Sequence, residues 1–185
     1  MQRSNRRVLL TKMLLKEALL KLLQSKSIET INVSELCREA DVNRATFYRH
    51  YNTPNDVLLD IGKELSDGMN RLVKRPSTVR EAEEYVEKIC VYLYEHRNII
   101  KIIILSHSDS DFSLILNECY QQVLEIKNDF RGAKNLDEDS LKLISTFLAG
   151  GGYQLLKYWL IEDVDKTPQE IASLVCSLFD KDNLL

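Results

Sequence analysis

The sequence predicts an all-α protein of about nine helices, and three observations predict it. Glycine and proline are scarce, at 6 Gly and 3 Pro in 185 residues, and long stretches contain neither. Apolar residues recur through those stretches at three- and four-residue intervals, the spacing that lines one face of a helix. The one strand-like run, residues 99–105, has no candidate partner strand. A lone strand is not stable, so this run is assigned to helix as well.

Residues 6–25 form the first predicted helix. Val8, Leu9, Met13, Leu15, Ala18, Leu19, Leu22 and Leu23 share its apolar side, and Lys12, Lys16 and Lys21 occupy the other. Arg3, Arg6 and Arg7 lie ahead of it or at its start. Ser25-Lys26-Ser27 breaks the pattern, and Ile28, Ile31 and Val33 dock the link on a small core. A short helix over 33–40 follows, with Asn32 as N-cap, Glu35 three residues on, and Leu36 and Ala40 facing inward. Asp41-Val42 makes a tight connection, and Asn43 caps a further helix over 44–51. There Phe47 and Tyr51 share the buried face, Ala45 and Arg49 point the other way, and Thr46 and Tyr48 flank them. So short a helix must be held by its neighbours.

Thr53-Pro54 opens a helix that runs to about Val73, a cap followed by proline in the first turn. Lys74-Arg75-Pro76-Ser77 is the clearest break in the chain. Beyond it the pattern predicts helices over 78–95, 99–105, 111–130 and 140–161, with a corner at His96-Arg97-Asn98 and a polar loop over 132–139. Thr167-Pro168 opens the last helix, to Phe179. The expected organisation is a three-helix domain over 1–52, a connecting helix over 54–73, and a larger helical domain over 74–185.

Charge is unevenly spread along this frame. Residues 1–55 hold ten Lys+Arg and five Asp+Glu, a balance of +5, whereas residues 56–185 hold 15 and 23, a balance of -8. A basic first third on an acidic body points to a polyanion met at one end. Other classes are excluded. No apolar run reaches the ~20 residues of a membrane span, and Lys12 and Lys16 interrupt the only stretch that suggests an export signal. The cysteines at 37, 90, 119 and 176 have neither metal-pair nor disulfide-framework spacing and read as buried apolar residues in a reducing cytoplasm. His96 and His107 show no metal-ligand spacing, no cofactor motif is present, and no catalytic constellation stands out, so no enzyme is expected.

The run INVSELCREADVNRATFYRHYNTPNDVLLDIGKEL, residues 31–65, resembles the helix-turn-helix signature of TetR-type transcriptional regulators, most specifically at Phe47-Tyr48-Arg49-His50-Tyr51. The likeness extends upstream through TKMLLKEALLKLL, residues 11–23. It implies a homodimer with an N-terminal DNA-binding domain, a regulatory and dimerisation domain, and a palindromic double-stranded operator. Most such proteins repress transcription until a small molecule releases them. Carried onto this chain, the DNA-facing residues are Asn43, Arg44, Ala45, Thr46, Tyr48, Arg49 and His50, with Ser34 from the preceding helix and Arg3, Arg6 and Arg7 near the N-terminus. Arg44 suits a bidentate guanine contact, Ala45 keeps the helix slim in the groove, and Tyr48 and His50 suit phosphates. Many relatives carry a lysine at the start of the fourth helix where this chain has Pro54, although backbone N–H groups there remain available to phosphate. That departure leaves open a second reading, an interaction protein or coactivator that shares the scaffold without binding DNA.

AGGGYQLLKYWL, residues 149–160, and the helix at Thr167-Pro168 resemble the last two helices of such proteins, which commonly form the dimer interface. Each glycine inside a helix costs ~1 kcal/mol relative to alanine, so Gly150-Gly151-Gly152 implies close approach of another helix or a break lining a cavity. The expected interface includes Gly151, Tyr153, Trp159, Leu174 and Leu178. An effector pocket is expected among Met69, Tyr92, Phe112, Tyr120 and Phe147.

Overall fold

The computed structural model describes residues 2–72, 78–106 and 137–177. They form α1 (Gln2–Leu23), α2 (Val33–Glu39), α3 (Arg44–Phe47), α4 (Pro54–Leu72), α5 (Val79–Glu95), α6 (Arg97–Ser106), α7 (Glu138–Ile161) and α8 (Pro168–Ser177), with a 3-10 turn at Ile28–Thr30. No strand occurs among the described residues, and the run at 99–105 is helical, as expected. The helix expected over 111–130, and the last one beyond Ser177, lie outside the described residues.

Several boundaries differ from expectation, among them the start of α6, which takes in Arg97 and Asn98 of the expected corner, and three others have a local reason. α1 begins at Gln2 and absorbs Arg3, Arg6 and Arg7, because no glycine or proline stops it there. α7 begins at Glu138, inside the expected loop, because Asp137 Oδ1 accepts the Ser140 backbone N–H at 2.8 Å and caps the helix. α3 ends at Phe47 instead of Tyr51, since Arg49 and His50 turn more tightly, donating to the carbonyls three residues back, Thr46 and Phe47.

Contacts divide the chain into two units, Met1–Leu65 with Ile102–Asp109, and Ser66–Lys101 with Ser110–Leu185. The division falls inside α4, because Val57, Leu58 and Ile61 of its first half are buried in the core of the first unit. That core also takes Leu15 and Leu19 from α1, Leu36 from α2 and Phe47 from α3, all fully buried. Each such side chain is worth about 1.5–3 kcal/mol on burial. Asp41, at φ 51°, makes the left-handed turn between α2 and α3, a conformation that aspartate tolerates better than most residues.

In the second unit, α5 packs along α8. Tyr85, Cys90, Leu93, Ile100, Leu160 and Val175 form its core. Gly68 is needed where α4 meets α5, since a Cβ there would run into the Tyr92 hydroxyl and ring. Tyr94 stacks on Trp159 with centroids 5.5 Å apart, and Trp159 Nε1 donates to the Lys166 carbonyl at 3.0 Å. Those contacts, with the ion pair of Lys101 and Asp163 at 2.6 Å, hold the turn between α7 and α8. α7 runs unbroken through its glycines, so they line no interruption, and around Gly150 and Gly151 an added Cβ would meet nothing within 4 Å. No described helix is long and apolar enough to cross a membrane.

Candidate nucleic-acid interface

α3 has only four α-helical residues, so its orientation comes from its caps and neighbours. Asn43 Oδ1 accepts the Ala45 N–H at 2.8 Å and closes the N-terminus. Phe47 is fully buried, its ring edge-on to Tyr48 at 5.5 Å and tilted against Tyr51 at 6.0 Å. With that face committed inward, Asn43, Arg44, Ala45, Tyr48 and Arg49 are exposed, and Thr46 and His50 are half-buried. Ser34 of α2 is exposed beside them, and its hydroxyl accepts a hydrogen bond from the Arg44 guanidinium. Arg44 is thereby held over α2 before anything binds. The surface so built is slim at Ala45 and cationic at Arg44 and Arg49, and it carries hydroxyls at Ser34, Thr46 and Tyr48.

Behind that surface lies a charged cluster. Asp60 Oδ2, on α4, accepts from Tyr51 Oη at 2.6 Å, Lys16 Nζ at 2.9 Å and Lys12 Nζ at 3.2 Å. Lys16 also pairs with Glu64 at 2.6 Å, and Lys12 Nζ lies 5.2 Å from the Tyr51 ring centroid. Burial alone would push the Asp60 carboxyl up, but the hydrogen bonds from Tyr51, Lys16 and Lys12, with the Lys16 charge, outweigh it and hold it at about 2. Burial, then the bond to Asp60, pushes the Tyr51 phenol up, so it stays a donor.

An aspartate in the unfolded chain titrates near ~3.9. The folded carboxyl is depressed, so its contribution of about 2 kcal/mol is complete above roughly pH 5 and is lost as pH falls towards 2. Urea unfolding at several pH values checks this. Stability should fall less between neutral and acid pH in Asp60→Asn than in the wild type, and equal losses would show that the cluster is uncoupled from folding.

At the start of α4 Thr53 caps the helix ahead of Pro54, as expected, and Asp56 closes the cap from the helix side. Asp56 Oδ2 accepts the N–H groups of Asn52 and Thr53 at 2.7 and 3.1 Å, while Thr53 Oγ1 accepts the Asp56 N–H at 3.2 Å. The N–H groups of Asn52, Thr53 and Asp56 are therefore already taken within the cap, and the hydrogen bonds to Asp56, led by the one from Asn52, hold its carboxyl pKa below the ordinary carboxylate range.

The family model of the TetR-type transcriptional regulator C-terminal region matches residues 80–181. The chain belongs to the TetR family of transcriptional regulators. The helix-turn-helix-type regulator YxbF of Bacillus subtilis (strain 168), itself uncharacterised, is 21% identical over 169 residues, covering 88% of this chain. This TetR-family chain spans only 43% of that relative's length. A TetR transcriptional regulator from Streptococcus agalactiae 2603V superposes with TM-score 0.74 at 21% identity, covering 97% of this chain and 99% of the other. The dihydroxyacetone kinase operon activator DhaS superposes at TM-score 0.62 and 17% identity, covering 91% and 93%. The FadR repressor of Thermus thermophilus, in complex with lauroyl-CoA, does so at 0.57 and 18%, covering 94% and 95%. These likenesses establish the all-helical TetR fold.

The residues expected to face DNA are thus brought together on α2, α3 and the turn after it, except for the three arginines of α1. Arg6 and Arg7 are exposed on the helical start of α1 and form no arm ahead of it. The Arg3 side chain lies outside the described residues. Lys16, assigned to the polar side of α1, is 8% exposed and belongs to the Asp60 cluster. The signal for that cluster was the matching i,i+4 spacing of Lys12 and Lys16 with Asp60 and Glu64.

The residues expected to line an effector pocket fall in different settings. Met69 is buried in core packing, Phe147 is 76% exposed, and Phe112 and Tyr120 lie outside the described residues. Tyr92 lines an open cavity of about 380 Å³ with Leu72, Val91, Glu84, Glu87 and Glu95. Of the expected interface residues, Gly151 and Leu174 are exposed and Tyr153 is half-buried, while Leu178 lies outside the described residues. Trp159 is 3% exposed and spent inside the protomer, and its neighbour Tyr158 is the exposed aromatic of that turn.

Proposed function

We propose that this TetR-family regulator binds a palindromic DNA operator as a homodimer and represses transcription until a small molecule releases it. The observation that carries the reading is the exposed Arg44-Ala45 edge of α3 with half-buried Thr46 beside it, capped by Asn43 and held by Ser34 over a closed apolar core. Arg44 reads a base edge, Tyr48, Arg49 and His50 meet phosphates, and Arg6 and Arg7 extend the cationic surface.

Dimerisation is supported by an uncovered face. Leu143, Phe147, Gly150, Gly151 and Tyr158 fall on one side of α7, and all are exposed. Exposed Leu174 of α8 lies with Tyr158 on a groove of about 600 Å³ between the two helices. Two copies of α7 and α8 would bury this face as a four-helix seam. Two copies of α3 spaced about 34–36 Å apart then read one face of the duplex. The effector reading rests on the family and on the likeness to a repressor solved with an acyl-CoA. No cavity among the described residues identifies this chain's own ligand.

The self-capped start of α4 favours a second reading, a regulator acting through protein contact. Sequencing duplexes that the protein retains from a randomised pool decides between them. The first reading expects an inverted repeat, with affinity falling steeply as salt rises. Failure to enrich any sequence at low salt would favour the second.

A further inference from the structure

Within the recognition segment, only short-range backbone bonds and the Phe47–Tyr51 ring contact hold its C-terminal end. α3 has one helical turn, and Tyr48, Arg49 and His50 follow in tight turns that are open to solvent on one side. At the other end of these turns, Tyr51 is 6% exposed, and its hydroxyl reaches across to α4. The Asp60 oxygen that it meets is the same one that binds Lys12 and Lys16 of α1. One carboxylate oxygen therefore joins α1, α4 and the residue that ends the recognition segment.

We infer that Asp60 and Tyr51 are positioning residues for DNA reading: the Tyr51–Asp60 bond, backed by Lys12 and Lys16, sets the angle at which residues 44–50 leave the scaffold. The inference rests on the DNA-binding reading above. Three features carry it. Tyr51 is 6% exposed and the Asp60 side chain 25%, and both are bonded inward to the cluster, so their effect acts through placement. The apolar core already secures Phe47 and the Tyr51 ring, which leaves the hydroxyl free for an orienting role. The charges are balanced within the cluster, two lysines against Asp60 and Glu64, so it adds no net charge beside the interface.

A geometric role separates from a merely stabilising one in the ratio of specific to non-specific affinity. Tyr51→Phe keeps the ring and removes only the hydroxyl bond. Binding would be compared on the most enriched duplex from the pool and on a scrambled duplex of equal length, at a temperature where both proteins are fully folded. The variant should lose about three- to tenfold in affinity for the enriched duplex, the worth of one hydrogen bond, and keep its affinity for the scrambled one. Asp60→Asn should lower the same ratio further, and adding Tyr51→Phe to it should change little, because the two residues act through one bond.

A Tyr51→Phe protein that discriminates as well as wild type would overturn this role alone, as would one that loses both affinities equally. Wild-type protein that enriches no duplex would overturn the DNA reading and this role with it.

Discussion

Phe47→Ala should cost about 3–5 kcal/mol of stability, the largest loss expected from any single change in the first unit. The side chain is fully buried where α3 meets its neighbours, and it touches both Tyr48 and Tyr51. Truncation leaves a cavity that α3 is too short to refill by moving as a rigid rod. For a chain of this size the melting midpoint would fall by roughly 6–20 °C. Thermal unfolding followed by circular dichroism measures it. A drop of only a degree or two would show that the core of this unit is organised around some other residue.

Arg44→Ala should leave stability within about 0.5 kcal/mol of wild type, because the side chain is exposed. Its effect belongs on DNA. Loss of a bidentate guanine contact costs about 1–3 kcal/mol, a five- to 150-fold fall in affinity for each such contact, and relaxes the preference at one base pair per half-site. Competition among duplexes altered one pair at a time resolves this from a general loss of phosphate attraction, which would weaken all sequences alike. Unchanged affinity together with unchanged preference would remove Arg44 from the reading surface. Ser34→Ala offers a milder version, since it frees the guanidinium without removing it.

Much of the first unit was legible because its signals are local. Asn32, Asn43 and Thr53 cap the helices expected of them, and the buried faces of α2 and α3 follow from spacing alone. On α1, by contrast, only Leu15, Ala18, Leu19 and Leu23 of the expected apolar side are buried, and Leu9 and Met13 are exposed. What escaped depends on contacts between distant parts of the chain. Lys16 looked solvated because its partner stands 44 residues away, and burial of a lysine is decided by that partner. The premature end of α3 escaped for the same reason, since the turn after it delivers Tyr51 to Asp60.

On α7 the difficulty is different. Apolar residues occur on more than one side of that helix, so periodicity does not say which side the protomer keeps and which it leaves bare. A rotation of one residue, about 100°, separates buried Trp159 from exposed Tyr158. A large apolar side chain in a core and one on a surface leave the same mark in a sequence, as buried Met69 and exposed Phe147 show.

The glycine pair in the middle of α7 has a wider consequence. With nothing of the protomer near either Cβ position, alanine at both would firm that stretch by about 2 kcal/mol in an isolated copy. A solitary protomer is therefore softest halfway along its longest described helix, and how stiff that stretch becomes is set by whatever comes to rest against it.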